Sequence, residues 1–121
     1  MSEKPDRLFV PLATAPFSWF ESGLKTWELR RYGRQYTKKH VVLGRRVELR
    51  KGYSGDSLWG EIDAINQAET IEEIFKKVPY SFVVPIARDL SDAVRICTDI
   101  LGCDEGGFIA FHIERNTSVG T

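Results

Sequence analysis

The sequence lacks any apolar run long enough to span a bilayer. Its longest stretches free of charge, Leu8–Phe20 and Val78–Ala87, each contain two prolines and fall short of the roughly 20 residues a spanning helix needs. It is also poor in cysteine. Cys97 and Cys103 stand six apart, with neither the CxxC spacing of a redox or zinc site nor the density of a secreted scaffold, so they read as reduced, packed thiols of a cytoplasmic protein. The only histidines, His40 and His112, have no second ligand at a metal spacing, so no metal is expected. No GxxxxGK[ST] and no GxGxxG after a strand is present, which excludes the familiar nucleotide-cofactor cradles, and no cofactor is expected. Met1–Arg7 carries Glu3 and Asp6, and Pro11 breaks the apolar run behind them, a pattern unlike a secretory leader. Net charge is absent too, with 17 basic and 17 acidic side chains, excluding a histone-like or acidic-tail character. No repeat, low-complexity tract or interior linker is visible, and 121 residues suit one domain, 1–121. At this length folding removes roughly 65% of the unfolded chain's surface from water, enough for a core without staples.

The zero net charge hides a strong polarity. Residues 25–51 hold ten basic side chains and only two acids, Glu28 and Glu48, while the remainder holds seven basic and fifteen acidic ones. A segment with a surplus of eight positive charges steers anionic partners. Tyr32, Tyr36 and Tyr53 are interleaved with it, as in nucleic-acid contacts.

Leu8–Leu12 reads as a strand, and Thr14-Ala15-Pro16 as a cap with proline at the first helical position. Phe17, Phe20 and Leu24 then form one apolar stripe, and Gly23 ends the helix. From Thr26 the pattern alternates: Trp27 and Leu29 share one strand face, and Thr26, Glu28 and Arg30 the other. Strand parity places Lys25 opposite Glu28, so the turn must rotate it for the two to meet. Residues 31–44 read as a long basic loop. Val47 and Leu49 alternate with Arg46, Glu48 and Arg50, and a glycine-rich turn at 52–56 leads into a strand over Leu58–Ile65. Thr70-Ile71-Glu72-Glu73 is a capping box opening a helix through Lys77, ahead of Pro79. Val78–Ile86 holds two prolines and reads as a connector or an edge strand. A helix from near Ser91 keeps Ala93, Val94, Cys97, Ile100 and Leu101 on one face and ends at Gly102; Phe108–Arg115 is the clearest strand, and 116–121 reads as a frayed tail. This order predicts an α+β fold with a curled, mainly antiparallel sheet.

The turn and strand at Gly23-Leu24-Lys25-Thr26-Trp27-Glu28-Leu29-Arg30 spell GxKxxExR. This resembles the signature of the ASCH family, whose domains are similar to the PUA domain: a small β-barrel of mainly antiparallel strands with short flanking helices. The order of elements follows the family over about 8–115, although only the eight-residue motif is specific. One departure is Arg45 after Gly44, where many relatives carry an acidic residue.

The resemblance implies binding of RNA or a modified nucleoside in a cleft lined by Lys25, Glu28 and Arg30. The chemistry of these residues agrees, because a lysine ammonium and an arginine fork suit phosphate or a base edge and a carboxylate accepts from an exocyclic amine. Arg31, Arg34, Lys38, Lys39, Arg45, Arg46, Arg50 and Lys51 are the expected phosphate contacts. Tyr32 is a candidate for phosphate stabilisation or acid–base work, and Trp59, after the glycine-rich tip, for base stacking; Trp19 and Trp27 read as core.

Two other readings stand beside this one. Some relatives remove the acetyl group from N4-acetylcytidine, and in those a threonine occupies the motif's glutamate position and is activated by its lysine. Here that position is Glu28, and Thr26 stands elsewhere. Other relatives resemble ribonucleases, for which Lys25 and Glu28 would be the general acid–base pair. Whether the chain is catalytic is therefore open at this point. The last reading is a protein-interaction domain whose basic loop meets an acidic partner.

Overall fold

The computed structural model describes residues 7–53 and 55–115. The frayed tail expected at 116–121, and all but the last residue of the segment read against a leader, lie outside them.

Five strands make one sheet: β1 (Arg7–Leu12), β2 (Trp27–Arg31), β3 (Arg46–Lys51), β4 (Ser57–Thr70) and β5 (Glu105–Arg115), in the spatial order β1-β3-β4-β5-β2. Every pairing is antiparallel except β1 with β3. The two outermost strands, β1 and β2, are joined by a side chain: Arg30 on β2 donates from Nη2 to the Pro11 carbonyl on β1 at 2.9 Å. The sheet is thus curled until its edges approach, with an arginine bridging the seam. This agrees with the expected α+β, PUA-like architecture.

Alternation along the strands divides two cores. Leu8, Val10, Val47, Leu49, Ile62, Ile109, Phe111 and Ile113 fill the inside of the curl, closed by Phe17 and Phe20 of α1 (Thr14–Ser22). On the outer side of β2 and β5, Leu29, Phe108 and Ala110 pack under α2 (Ile71–Ile74) and α3 (Leu90–Leu101). Glu28 and Arg30 stand opposite Phe111 and Ile109 in register, so they share the inner face. Burial of these side chains is the main stabilising term, at about 25 cal/mol per Å² of apolar surface.

Several expectations need adjusting. Helix α1 begins at Thr14 with Ala13 at the cap position and no side-chain cap, so Pro16 is its third residue rather than its first. Gly23 does end it, at φ 85°, a left-handed conformation that glycine adopts without a Cβ clash. The chain reverses there, and Leu24 leaves the apolar stripe to stand 57% exposed. Thr70 accepts from the Glu73 amide at 3.1 Å, as the capping box requires, but α2 is one turn long. Beyond it the helical period persists without regular helix: Ile71, Ile74, Phe75 and Val78 are all buried, while turn bonds such as Lys77 N–H to the Ile74 carbonyl carry the chain to Pro79. Strand β4 extends to Thr70 rather than Ile65, because two register shifts, between Ile62 and Ala64 and between Ala68 and Thr70, keep it paired to β5. Val78–Ile86 is a connector with a 3-10 turn at Tyr80–Phe82.

Candidate nucleic-acid or nucleoside site

Lys25, Glu28 and Arg30 converge. After Gly23, the Lys25 amide donates to the Trp19 carbonyl at 3.0 Å, and this turn swings the side chain to the face its parity would have denied it. Its Nζ donates to the Val83 carbonyl at 2.7 Å and lies 3.3 Å from Glu28 Oε1. Arg30 Nε binds the other oxygen, Oε2, at 2.5 Å. One carboxylate therefore holds two cations, one on each oxygen. Lys25 and Glu28 are each only 5% exposed. The Arg30 guanidinium also lies 4.9 Å from the centre of the Tyr36 ring, and the Lys25 ammonium 5.3 Å from that of Phe20.

Burial dominates the electrostatics here. It pushes the Lys25 ammonium below the ordinary lysine pKa, against the pull of Glu28. Burial alone would raise Glu28, but Arg30 and then Lys25 outweigh it and hold the carboxyl below its usual range. Arg30 is likewise opposed by burial and raised by Glu28. Burial lifts the Tyr36 phenol, against Arg30.

The three groups line a cavity of about 520 Å³, within the range of small-molecule sites. The other walls are almost wholly apolar and include Leu12, Trp19, Val83, Val84 and Ile96. Ile86 and Ile100, 62% and 70% exposed, stand among the lining residues as apolar lips. The Cys97 thiol also lines the cavity; burial pushes it up to about 11, with Lys25 pulling the other way. Among the described residues no hydroxyl side chain lines it, and no group of three or more histidine, cysteine or carboxylate side chains could hold a metal.

The eight expected phosphate contacts lie outside the cavity lining. Arg31, Arg34, Lys38, Lys39, Arg46 and Lys51 are exposed. Arg45 donates to the carbonyls of His40 and Arg7, which ties the basic loop to β1. Arg50 is bound to Glu48 and to the Tyr53 carbonyl. Tyr32 accepts at its hydroxyl from the Lys38 amide at 3.1 Å. Trp59 lies half-buried beneath the Arg46 guanidinium at 4.7 Å, and Trp27 packs on the outer core. Trp19, read as core, borders the cavity instead. The sequence offered no signal for Val83, 58 residues from the lysine it receives, or for Cys97 and Ile100, whose helical period marks them only as core.

A curled five-stranded, mainly antiparallel sheet closed by short helices is a small α+β fold of the PUA-like kind. Solved structures narrow this further. The hypothetical protein PH0355 superposes with a TM-score of 0.73 at 16% identity over 90% of this chain and 98% of its own. Protein PF0455 from Pyrococcus furiosus gives 0.64 at 15% identity over 93% and 99%, and the ASCH protein of Zymomonas mobilis 0.63 at 17% over 90% and 67%. No family model matches the chain, and no curated protein matches it. The chain has the ASCH-domain fold. No helix among the described residues is long and apolar enough to cross a membrane.

Proposed function

We propose that this chain binds RNA or a modified nucleoside, with a base received in the cavity and phosphates held by the exposed basic residues of the 31–51 segment. The observation that carries this reading is the convergence of Lys25 and Arg30 on Glu28 within an apolar-walled cavity of about 520 Å³. Apolar walls suit the faces of a planar base, and a few fixed polar groups at one end suit its hydrogen-bonding edge. Because both Glu28 oxygens are already bound to cations, the carboxylate acts as an organiser that aims the remaining N–H groups of Lys25 and Arg30. This favours binding over acid–base chemistry at Glu28.

A hydrolase is the second reading, and the lowered pKa of Lys25 favours it. An amine whose charged form is disfavoured by burial is the more easily neutralised general base, and without a hydroxyl among the described lining residues, water would be the nucleophile.

The discriminating experiment incubates the protein with total RNA and with acylated and unacylated nucleosides, with and without divalent metal, and follows both by mass spectrometry. Retention of unchanged ligand is the expected result. Released acid or cleaved RNA would establish the hydrolase instead, and neither would leave the protein-interaction reading. RNA affinity should also fall with salt, each neutralised phosphate contributing roughly −0.7 to the slope of log K against log salt, so four contacts give about −3. A slope unchanged when Arg31, Arg34, Lys38 and Lys39 are all replaced by Ser would remove the basic loop from the site.

A further inference from the structure

The polar end of the cavity holds more donors than acceptors, because the triad closes on itself. A lysine ammonium carries three N–H groups and a guanidinium five, and neither group accepts. Lys25 uses two of its three, on the Val83 carbonyl at 2.7 Å and on Glu28 at 3.3 Å. Arg30 uses Nε on Glu28 and one N–H of Nη2 on the Pro11 carbonyl. The ammonium therefore keeps one N–H and the guanidinium three.

The acceptors are already engaged. Both Glu28 oxygens face a cation, and the Pro11 and Val83 carbonyls receive Arg30 and Lys25 themselves. Of the other lining residues, Leu12 accepts from the Gly52 amide, Trp19 from the Lys25 amide and Val84 from the Ala87 amide; the Cys97 thiol is a weak acceptor. Two cations against one carboxylate also leave a net positive charge, set among apolar walls that screen it less than water does. A ligand group at this end is met by N–H groups and a positive potential.

Resting on the reading of the cavity as a base site, we infer that it selects keto bases, uracil and guanine, over amino bases, cytosine and adenine. The deciding group is the one on C4 of a pyrimidine or C6 of a purine, a carbonyl oxygen in the first two and an amine in the others. A carbonyl brings lone pairs to the remaining N–H groups of Lys25 and Arg30, and its partial negative charge meets the positive end. Beside it, on the edge that faces the major groove in a duplex, stands only a carbon in uracil or the N7 acceptor in guanine. An amine brings further N–H groups to donors, so both sides lose water without gaining a bond. Cytosine and adenine turned to offer N3, N1 or N7 still carry the amine next to that nitrogen. Sites built to bond one such group reject the analogue that lacks it. In sequence, Glu28 reads as an acceptor for an exocyclic amine; the cations on both its oxygens take it out of that role.

The test uses the full chain and calorimetry at neutral pH, with uridine against cytidine, inosine against adenosine, and benzoate as an apolar anion that carries no base. Inosine stands for guanosine because it has the C6 carbonyl without the second amine. The expected result is that the keto member binds at least tenfold more tightly in both pairs. Lys25→Gln and Arg30→Gln each replace a pure donor by an amide that also accepts, so in whichever variant thermal unfolding shows to be folded the preference should fall toward unity. Equal affinities in either pair, or tighter binding of the amino member, would overturn the selection and leave the base reading standing. A preference kept at full size in the folded variants would overturn its assignment to the triad. No binding of any nucleoside, or benzoate bound more tightly than all of them, would overturn the base reading itself.

Discussion

Replacing Glu28 by Gln removes the one negative charge between a buried lysine and a half-buried arginine and leaves the volume almost unchanged. Arg30 can still donate to the amide oxygen, but the amide nitrogen cannot accept from Lys25, whose Nζ sits 3.3 Å from the lost carboxylate oxygen. Breaking a buried pair by removing one partner costs about 3–5 kcal/mol. Lys25 sets a ceiling on its own share, because it can shed its proton: starting from the ordinary value of 10.5, at about 1.4 kcal/mol per pKa unit this costs about 4.8 kcal/mol at pH 7 and about 2 at pH 9. The sign follows from proton counting. With the folded pKa of Lys25 depressed still further, the unfolded chain binds more protons across the window up to 10.5, so the variant's stability rises with pH relative to wild type. Urea unfolding at pH 7 and pH 9 should therefore show a deficit of about 3–5 kcal/mol that shrinks at the higher pH. Adding Lys25→Met should recover part of it. A deficit below about 1 kcal/mol, the worth of an exposed pair, or one independent of pH, would refute the buried-triad reasoning.

Three further outcomes are expected. Glu28 and Glu48 both have folded pKa values below 4.5, so their stabilising contribution is complete above that value and lost as pH falls through the lower folded ones; thermal midpoints should drop as pH falls below about 4.5, and less steeply in Glu48→Gln. An identical slope in that variant would show that Glu48 does not contribute to the acid sensitivity. Gly60→Ala would place a Cβ 2.6 Å from the Glu114 carbonyl oxygen and 2.7 Å from an Ile113 methyl, so calorimetry should find it destabilised by roughly 1–3 kcal/mol. In a thiol titration near pH 8, half-buried Cys103 should react first and Cys97, buried and raised to about 11, only as the chain unfolds; equal rates would contradict its burial.

The amino-acid sequence alone determined the class of fold and the identity of the motif, because both reside in local patterns. Alternation at Trp27–Arg30 and Ile109–Ile113, the left-handed glycine at Gly23 and the Thr70 cap depend on neighbours within a few residues, and each is found as expected. Local reasoning failed where a distant strand chose the outcome: β4 outruns its alternation because β5 is there to pair with it, and α2 stops after one turn although its buried positions keep helical spacing. The charged residues divide in the same way. Ten cations within 27 positions mark a basic segment, yet their spacing does not separate Arg30, in the cavity, from Arg45, tied to carbonyls, or from Arg46, lying on Trp59. Only the tertiary structure decided that Lys25 meets Glu28, that the Val83 carbonyl receives its ammonium, and that Arg7 and Arg50 close on Glu48. Those contacts join segments up to 58 residues apart, and a buried ion's partners are set by whichever strands the curled sheet brings to it.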